Sequence, residues 1–326
     1  MTSRPADDRT PAADRAPAAD RTPAADRAPG PVNLDVRWIH GSRRRSRDTG
    51  PAIQVHACDA ATFILRQNKA VHYEAPFLYL FCGADRALLL DTGATAEPGR
   101  FPLRATVDGL LAGWLARHPR DGYELIVAHT HGHGDHVAAD GQFAGRTATT
   151  VVGRELAAVQ GFFGFTGWPE QVVPLDLGGR ILEITGSPGH HQAAITVFDP
   201  RTGFLLTGDT VYPGRLYVSD IGQFTASLDR IAEFAATRPV THVMGCHIEM
   251  TRRPNRDYPV GTTYQPDEPP LPMTVAQLSR VRDAARSVAG RPGAHAFGDF
   301  IIFNGPCRAA MAAQVARLAW RRVVTG

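Results

Sequence analysis

The chain has 326 residues, of which 43% are hydrophobic, with 35 basic and 32 acidic side chains. Residues 1–50 hold ten arginines and seven aspartates, so residues 51–326 are neutral overall. A neutral domain of this size has enough apolar residues for a large core but lacks the basic excess typical of nucleic-acid binding. No segment reaches the ~20 apolar residues that cross a bilayer, and no apolar leader is visible. We therefore expect a cytoplasmic protein with neither nucleic acid nor membrane as a partner.

The N-terminal region is a repeat. From Asp8 the sequence runs DRTPAA, DRAPAA, DRTPAA, DRAPG, with a proline at every sixth position. Proline at this spacing prevents a continuous helix, and alanine, aspartate and arginine bury too little apolar surface to offset chain entropy. We expect residues 1–50 to form a disordered tail and residues 51–326 to form one domain. Removal of residues 1–48 should then leave activity intact.

Short apolar runs and helical periodicity alternate through the rest of the chain. The last predicted helix is the clearest, because Thr274 and Gln277 form a capping box and Gly290 ends the pattern. Strands and helices mixed in this way indicate an α/β domain. The predicted strands cover residues 53–57, 77–81, 87–90, 125–127, 181–184, 195–198, 204–206 and 241–244, and the predicted helices cover 103–118, 228–236 and 275–288.

The most informative stretch, His129-Thr-His-Gly-His-Gly-Asp-His136, directly follows the predicted strand 125–127. One small residue separates His131 from His133, so in an extended backbone both rings can point toward one ion. Asp135 and His136 come next and can turn toward a second ion. A chance occurrence of this pattern has a probability on the order of one in a thousand in a chain of this length. The segment therefore predicts a metal site.

The pattern resembles the signature of the metallo-β-lactamase fold superfamily. Four further motifs of that family stand in order, with Asp91 in LLLDTG, His190 in SPGH, Asp209 in LTGDT and His247 in MGCH. The resemblance implies a four-layer αβ/βα sandwich with the metal site at the strand ends, between two sheets. It covers residues 87–247.

The resemblance also implies a role for each residue. His131, His133 and His190 would hold a first metal, Asp135, His136 and His247 a second, and Asp209 would bridge the two, while Asp91 would orient ligands. Imidazole and carboxylate ligands without thiolate suit zinc, and also admit iron or manganese. Two zinc ions would generate a metal-bound hydroxide, and Asp135 would manage the proton.

Three features bear on the substrate. Tyr212 lies three residues after Asp209, and this spacing is similar to that in the acyl-homoserine lactonases of this superfamily, where the tyrosine faces the substrate carbonyl. The alternative is that Tyr212 is a packing residue. Residues 161–169 alternate aromatics with glycine and form either a mobile lid or a loop anchored by its rings. Residues 252–272 follow the last ligand and are expected to form a rim near the metals. Cys246 is expected to pack as a small apolar side chain.

The sequence thus predicts a dinuclear zinc-dependent hydrolase that cleaves a small-molecule ester, lactone, thioester or amide. A mononuclear iron enzyme similar to persulfide dioxygenases is the alternative, because relatives of that kind carry the same motif. A module that only binds its ligand fits a complete set of metal ligands less well. The substrate and the oligomeric state stay open.

Overall fold

The computed structural model describes residues 29–325, so the repeat and its predicted disorder fall almost wholly outside the described residues. Two six-stranded sheets and a small three-stranded sheet make up the β structure. The first sheet follows chain order and contains β1 (Ile53–Asp59), β2 (Thr62–Gln67), β3 (Phe77–Cys82), β4 (Arg86–Leu90), β5 (Glu124–Ala128) and β6 (Thr149–Val151). Neighbours are antiparallel up to β4, and β4, β5 and β6 are parallel.

The second large sheet lies opposite the first. Its strands are β7 (Val172–Asp176), β8 (Ile181–Gly186), β9 (Ile195–Asp199), β10 (Phe204–Gly208), β12 (His242–Gly245) and β13 (Pro272–Met273), in the spatial order β13-β12-β10-β9-β8-β7. The small sheet has the order β11 (Arg215–Val218), β15 (Ile301–Asn304), β14 (Gly293–Ala296). In the second sheet β8, β10 and β12 run in the same direction, because β9 is antiparallel to both of its neighbours and β10 is parallel to β12.

The helices are α1 (Leu103–Leu115), α2 (Gly134–Val137), α3 (Leu156–Phe163), α4 (Ile221–Ala236), α5 (Val275–Val288) and α6 (Arg308–Thr325). The helix α1 covers the outer face of the first sheet, and α4 and α5 cover that of the second. Within β4, Leu88 and Leu90 pack between the sheets whereas Leu89 faces α1, as the two-residue period of a strand requires. On the far side, α4 and α5 pack against Phe198 and Leu205. These layers confirm the predicted four-layer αβ/βα sandwich.

The predicted elements agree with the structure where the local signal is strong. The helix α5 has the predicted bounds, and Thr274 and Gln277 form the capping box. The helix α4 begins seven residues before the predicted start, because Asp220 caps it by accepting from the Gln223 backbone N–H. The sequence patterns predicted neither the strand β2 nor the three strands of the small sheet. The described residues contain no helix long and apolar enough to span a membrane.

Residues 29–50, which we call the N-terminal strap, pack against the domain, and the predicted boundary at residue 50 stays a prediction. The Asn33 N–H donates to the Cys58 carbonyl at 2.8 Å. The ring of Trp38 packs edge-on against that of Phe77, with the ring centroids 5.0 Å apart. At the far end, the Gln265 N–H donates to the His40 carbonyl at 2.9 Å. Unlike the repeat, the strap carries apolar side chains that the core can bury. A deletion of residues 1–48 would remove these contacts.

Of the two forms predicted for the aromatic segment 161–169, the structure shows the loop anchored by its rings. The helix α3 ends at Phe163, and Gly164 closes it in the left-handed conformation. Phe165 is buried, and Phe163 and Trp168 pack against the core between the sheets, which leaves Phe162 as the exposed ring. The segment is therefore held in place by its rings.

Candidate metal centre

The predicted ligands all lie in segments that follow strands. Because β4 and β5 are parallel, and β8, β10 and β12 share one direction, the carboxyl ends of these strands gather at one edge of the sandwich. Loops at such an edge are where α/β folds bring functional side chains together. The segments after these strands carry Asp91, His131 to His136, His190, Asp209 and His247, respectively.

Three histidines form a first group of converging nitrogens. His131 Nε2 lies 2.9 Å from His133 Nδ1. His190 Nε2 lies 3.2 Å from His131 Nε2 and 3.0 Å from His133 Nδ1. Nitrogens bound to one zinc ion at ~2.0–2.1 Å in tetrahedral geometry stand about 3.3 Å apart. The three side chains therefore already have nearly the spacing that a single ion requires.

Asp135, His136, Asp209 and His247 form a second group. His247 Nε2 lies 3.3 Å from Asp135 Oδ2 and 3.3 Å from His136 Nε2. Asp209 Oδ1 lies 3.4 Å from His247 Nε2 and 3.6 Å from His136 Nε2. One ligand atom from each of the four side chains lies within 4.8 Å of all the others. Two imidazoles and two carboxylates in this arrangement can hold a divalent cation.

Asp209 stands between the two groups. Its Oδ1 faces the second group, while its Oδ2 lies 3.8 Å from His190 Nε2 in the first. The Oδ1 atom is buried and has no hydrogen-bond partner among the described residues. A buried carboxylate oxygen without a partner is costly unless a cation compensates it. The arrangement fits a carboxylate that bridges two metal ions.

The outer nitrogens of three imidazoles have acceptors. His190 Nδ1 lies 2.6 Å from the Tyr217 carbonyl oxygen, and His247 Nδ1 lies 3.3 Å from that of Glu74. His136 Nδ1 lies 3.0 Å from Asp91 Oδ2. An Nδ1 proton donated to such an acceptor leaves the Nε2 lone pair facing the centre, which is the tautomer that binds metal.

The Asp91 carboxylate contacts residues that adjoin the predicted ligands, and its orienting role stays a prediction. Its carboxylate accepts from the Thr130 backbone N–H at 2.7 Å, from the Thr130 hydroxyl at 2.9 Å and from the Cys246 thiol at 3.3 Å. It also has a positive φ of 70°, a strained conformation for aspartate that fixed surroundings can hold. Sequence reasoning missed Thr130 and assigned Cys246 an apolar role, although both residues adjoin predicted ligands.

The electrostatics of the two groups differ. Burial lowers the pKa of His131, His190 and His133, which keeps these imidazoles neutral and able to bind metal. Burial also opposes charge on His136, but Asp135, Asp91 and Asp209 outweigh it and raise its pKa. The second group thus favours a positive charge at its centre, which suits a metal ion.

The Tyr212 hydroxyl has partners within the protein. Tyr212 is fully buried, and its hydroxyl donates to the Arg215 carbonyl and lies 3.3 Å from Glu249 Oε2. Its ring centroid lies 5.6 Å from that of His247. A hydroxyl has one proton, so an oxyanion role would require Tyr212 to give up the bond to Arg215. That role stays a prediction.

Two histidines beside the predicted ligands have other contacts. His129 Nε2 lies 2.8 Å from Asp140 Oδ1, which keeps it out of both groups. His191 Nδ1 accepts from the Ala193 backbone N–H at 3.1 Å, and its ring centroid lies 5.1 Å from that of His133. Both residues therefore border the centre without joining either group of converging ligand atoms.

Comparison with known proteins identifies the family. The model of the metallo-β-lactamase superfamily matches residues 74–247, more than half of the chain, and the chain belongs to that superfamily. The solved structure of the metallo-β-lactamase FIM-1 from Pseudomonas aeruginosa, in its mono-zinc form, aligns with 74% of this chain and 98% of its own, with a TM-score of 0.50 and 11% identity. At that identity the similarity concerns the fold alone.

Two curated relatives carry the same name. The hydroxyacylglutathione hydrolase of Rhizobium meliloti is 27% identical over 43% of this chain and 53% of its own length. That of Thermosynechococcus vestitus is 28% identical over 48% of this chain and 60% of its own length. The chain thus matches a little more than half the length of these relatives.

Proposed function

We propose that this member of the metallo-β-lactamase superfamily is a dinuclear zinc-dependent hydrolase of a small-molecule thioester or a related ester, lactone or amide. The observation that carries the proposal is the pair of ligand groups joined by Asp209, whose Oδ1 is buried without a hydrogen-bond partner among the described residues. Zinc ions bound there would polarise the substrate carbonyl and lower the pKa of a coordinated water.

The side chains of the centre would perform the other tasks. His131, His133 and His190 would bind one ion as neutral ligands, and the fixed Nδ1 contacts of His190 and His136 would keep their rings oriented. Asp135 is the proposed proton carrier. Its side chain is 18% exposed, more than those of His136, Asp209 and His247, so it is the carboxylate of the centre that is more accessible to a bound substrate.

The names of the relatives favour a thioester within this range of substrates. In thioester hydrolysis the oxygen of water bonds to the carbonyl carbon, the carbon–sulfur bond breaks, and the sulfur leaves as a thiol. Protonation of the leaving sulfur or oxygen at Asp135 would serve thioesters and esters alike. The geometry of the centre does not depend on the leaving group.

The first test is metal content, measured by plasma mass spectrometry on protein purified without chelator or nickel resin. We expect about two zinc ions per chain, and hydrolysis of model thioesters by that protein. Asp135→Ala and His136→Ala should abolish turnover and keep the circular dichroism spectrum, whereas His295→Gln, at a half-buried histidine of β14 outside both ligand groups, should behave as wild type. A single iron per chain would contradict the proposal and favour the persulfide dioxygenase alternative.

A further inference from the structure

A cavity of about 500 Å³ lies beside the candidate metal centre and has no role in the chemistry proposed above. Its wall includes Arg45 and Arg100, together with His72, Tyr73 and Thr95. Arg45 belongs to the N-terminal strap, which the sequence had assigned to a disordered tail. The strap therefore contributes a charged side chain to a cavity of the domain.

Three segments that line the cavity also reach the metal centre. Ala138 of the lining lies two residues after His136. Thr95 lies four residues after Asp91, on the loop that follows β4. Tyr73 directly precedes Glu74, whose carbonyl oxygen lies 3.3 Å from His247 Nδ1. The cavity is therefore built on the same segments that position the second ligand group.

The two arginines are held in place by one turn of the backbone. Arg45 Nη2 donates to the carbonyls of Ala70 and Val71, at 2.7 and 3.0 Å, and Arg45 Nε donates to Ala70 at 3.0 Å. Arg100 Nη2 donates to the Val71 carbonyl at 3.1 Å. These bonds fix both side chains while leaving other guanidinium N–H groups to donate. Among residues 29–325, neither arginine forms an ion pair.

The charge and hydrogen-bonding capacity of the cavity match an anion. The exposed Glu97 is the acidic residue of the lining, so the two arginines leave a net positive charge. The Thr95 hydroxyl oxygen accepts from Gln67 Nε2 at 2.7 Å, which leaves its own proton to donate. Guanidinium groups with free N–H donors bind carboxylates and phosphates in preference to neutral groups.

We propose that this cavity is a specificity site that binds an anionic group, a carboxylate or a phosphate, on the substrate of the metal centre. The inference rests on the proposed function, because it assigns a substrate class to the same centre. It makes Arg45 and Arg100 specificity-determining residues, and it gives the N-terminal strap a function in addition to its packing on the domain. Neutral substrates would leave both guanidinium groups without an anionic partner.

The test measures the hydrolysis of four thioesters by the zinc-loaded full-length protein. Butyryl thioesters of N-acetylcysteamine, 3-mercaptopropionate and 2-sulfanylethyl phosphate place no charge, a carboxylate or a phosphate on the leaving group. The glutaryl thioester of N-acetylcysteamine places a carboxylate on the acyl side instead. The variants are Arg45→Gln and Arg100→Gln, with Arg44→Gln as the matched control, since Arg44 is an exposed neighbour in the strap.

We expect kcat/KM for at least one anionic thioester to exceed that for its neutral counterpart by about tenfold. Arg45→Gln and Arg100→Gln should each lower that ratio several-fold, with thermal midpoints near that of wild type, and Arg44→Gln should not lower it. The most preferred anion distinguishes a carboxylate from a phosphate ligand.

Two results would overturn the inference alone, namely equal rates for charged and neutral thioesters, or a preference that both arginine variants retain. If the protein cleaves none of the four thioesters, the proposed thioester hydrolysis is contradicted, and the inference is contradicted with it.

Discussion

The metal centre and the cluster around Arg215 both bury ionisable groups, but they satisfy them differently. Arg215 donates to Glu249 Oε1, to Asp257 Oδ2 at 3.0 Å, to the Tyr258 carbonyl at 2.7 Å and to the Tyr217 hydroxyl at 2.9 Å. Its charges and donors are thus matched within the protein. In the metal centre the ligand atoms face one another, and Asp209 Oδ1 has no hydrogen-bond partner among the described residues.

The difference separates a structural cluster from a binding site. A buried pair that satisfies itself contributes to one folded arrangement, and removal of one partner leaves the other charge unpaired. A buried carboxylate oxygen without a hydrogen-bond partner destabilises the empty protein and is stabilised by a cation. The predictions below follow from this contrast.

The largest effect is expected at the bridging position. Asp209→Ala removes a ligand from both groups, so kcat/KM should fall by about a thousandfold or more and metal content should drop. Because one of the replaced oxygens, Oδ1, has no hydrogen-bond partner within the described chain, urea unfolding of the chelator-treated protein should show a smaller loss of stability than removal of Arg215 causes. A large loss of unfolding free energy in the metal-free protein would mean that Asp209 is a structural residue, like the members of the Arg215 cluster.

The opposite pattern is expected for the other cluster. Arg215→Met leaves Glu249 and Asp257 without their buried partner and should lower the free energy of unfolding by about 3–5 kcal/mol. The molecules that remain folded should still bind metal, as plasma mass spectrometry of the monodisperse fraction can show. Normal stability of this variant would show that the cluster is not a structural one.

A smaller effect on metal binding is expected at Asp91. Asp91→Asn keeps the shape of the side chain but replaces an acceptor that orients His136, so the affinity for the second ion should fall about 10–100-fold. Competition with a zinc-binding dye measures this change for each ion. Equal weakening of the binding of both ions would contradict a role of Asp91 that acts through His136.

Lys69, the single lysine of the chain, lies between the two cases. It is buried, it donates to the Tyr73 carbonyl at 3.2 Å, and burial, partly opposed by Glu268, lowers its pKa from 10.5 to about 8. The cost of burying its charge is complete below pH 8 and disappears as the pH rises through 10.5.

Lys69→Met should therefore raise the free energy of unfolding at pH 7 by about 1–3 kcal/mol. The gain should shrink between pH 8 and 10.5, because the wild-type lysine becomes neutral there. Urea unfolding of both proteins at pH 7 and pH 10 tests this. If the variant is less stable than wild type at pH 7, the charge of Lys69 is stabilised by its partners, as that of Arg215 is.

Signals confined to a few residues were enough to predict much of the site from the sequence. The spacing of His131, His133, Asp135 and His136 after a strand depends only on local backbone geometry, and the structure brings these side chains together with His190, Asp209 and His247. The capping box of α5 is equally local, since Thr274 and Gln277 are three residues apart.

Tertiary packing decided the rest. The donors that hold Asp91 come from positions 39 and 155 residues away, and Arg66 reaches Glu268 across 202 residues. Such contacts depend on how the two sheets face each other, which no local periodicity records. The same holds for the N-terminal strap, whose ordering at Trp38 and Arg45 depends on surfaces supplied by β3 and by residues 70–71. The sequence alone determined which side chains can bind metal, whereas packing between distant segments determined what supports them and what lies beside them.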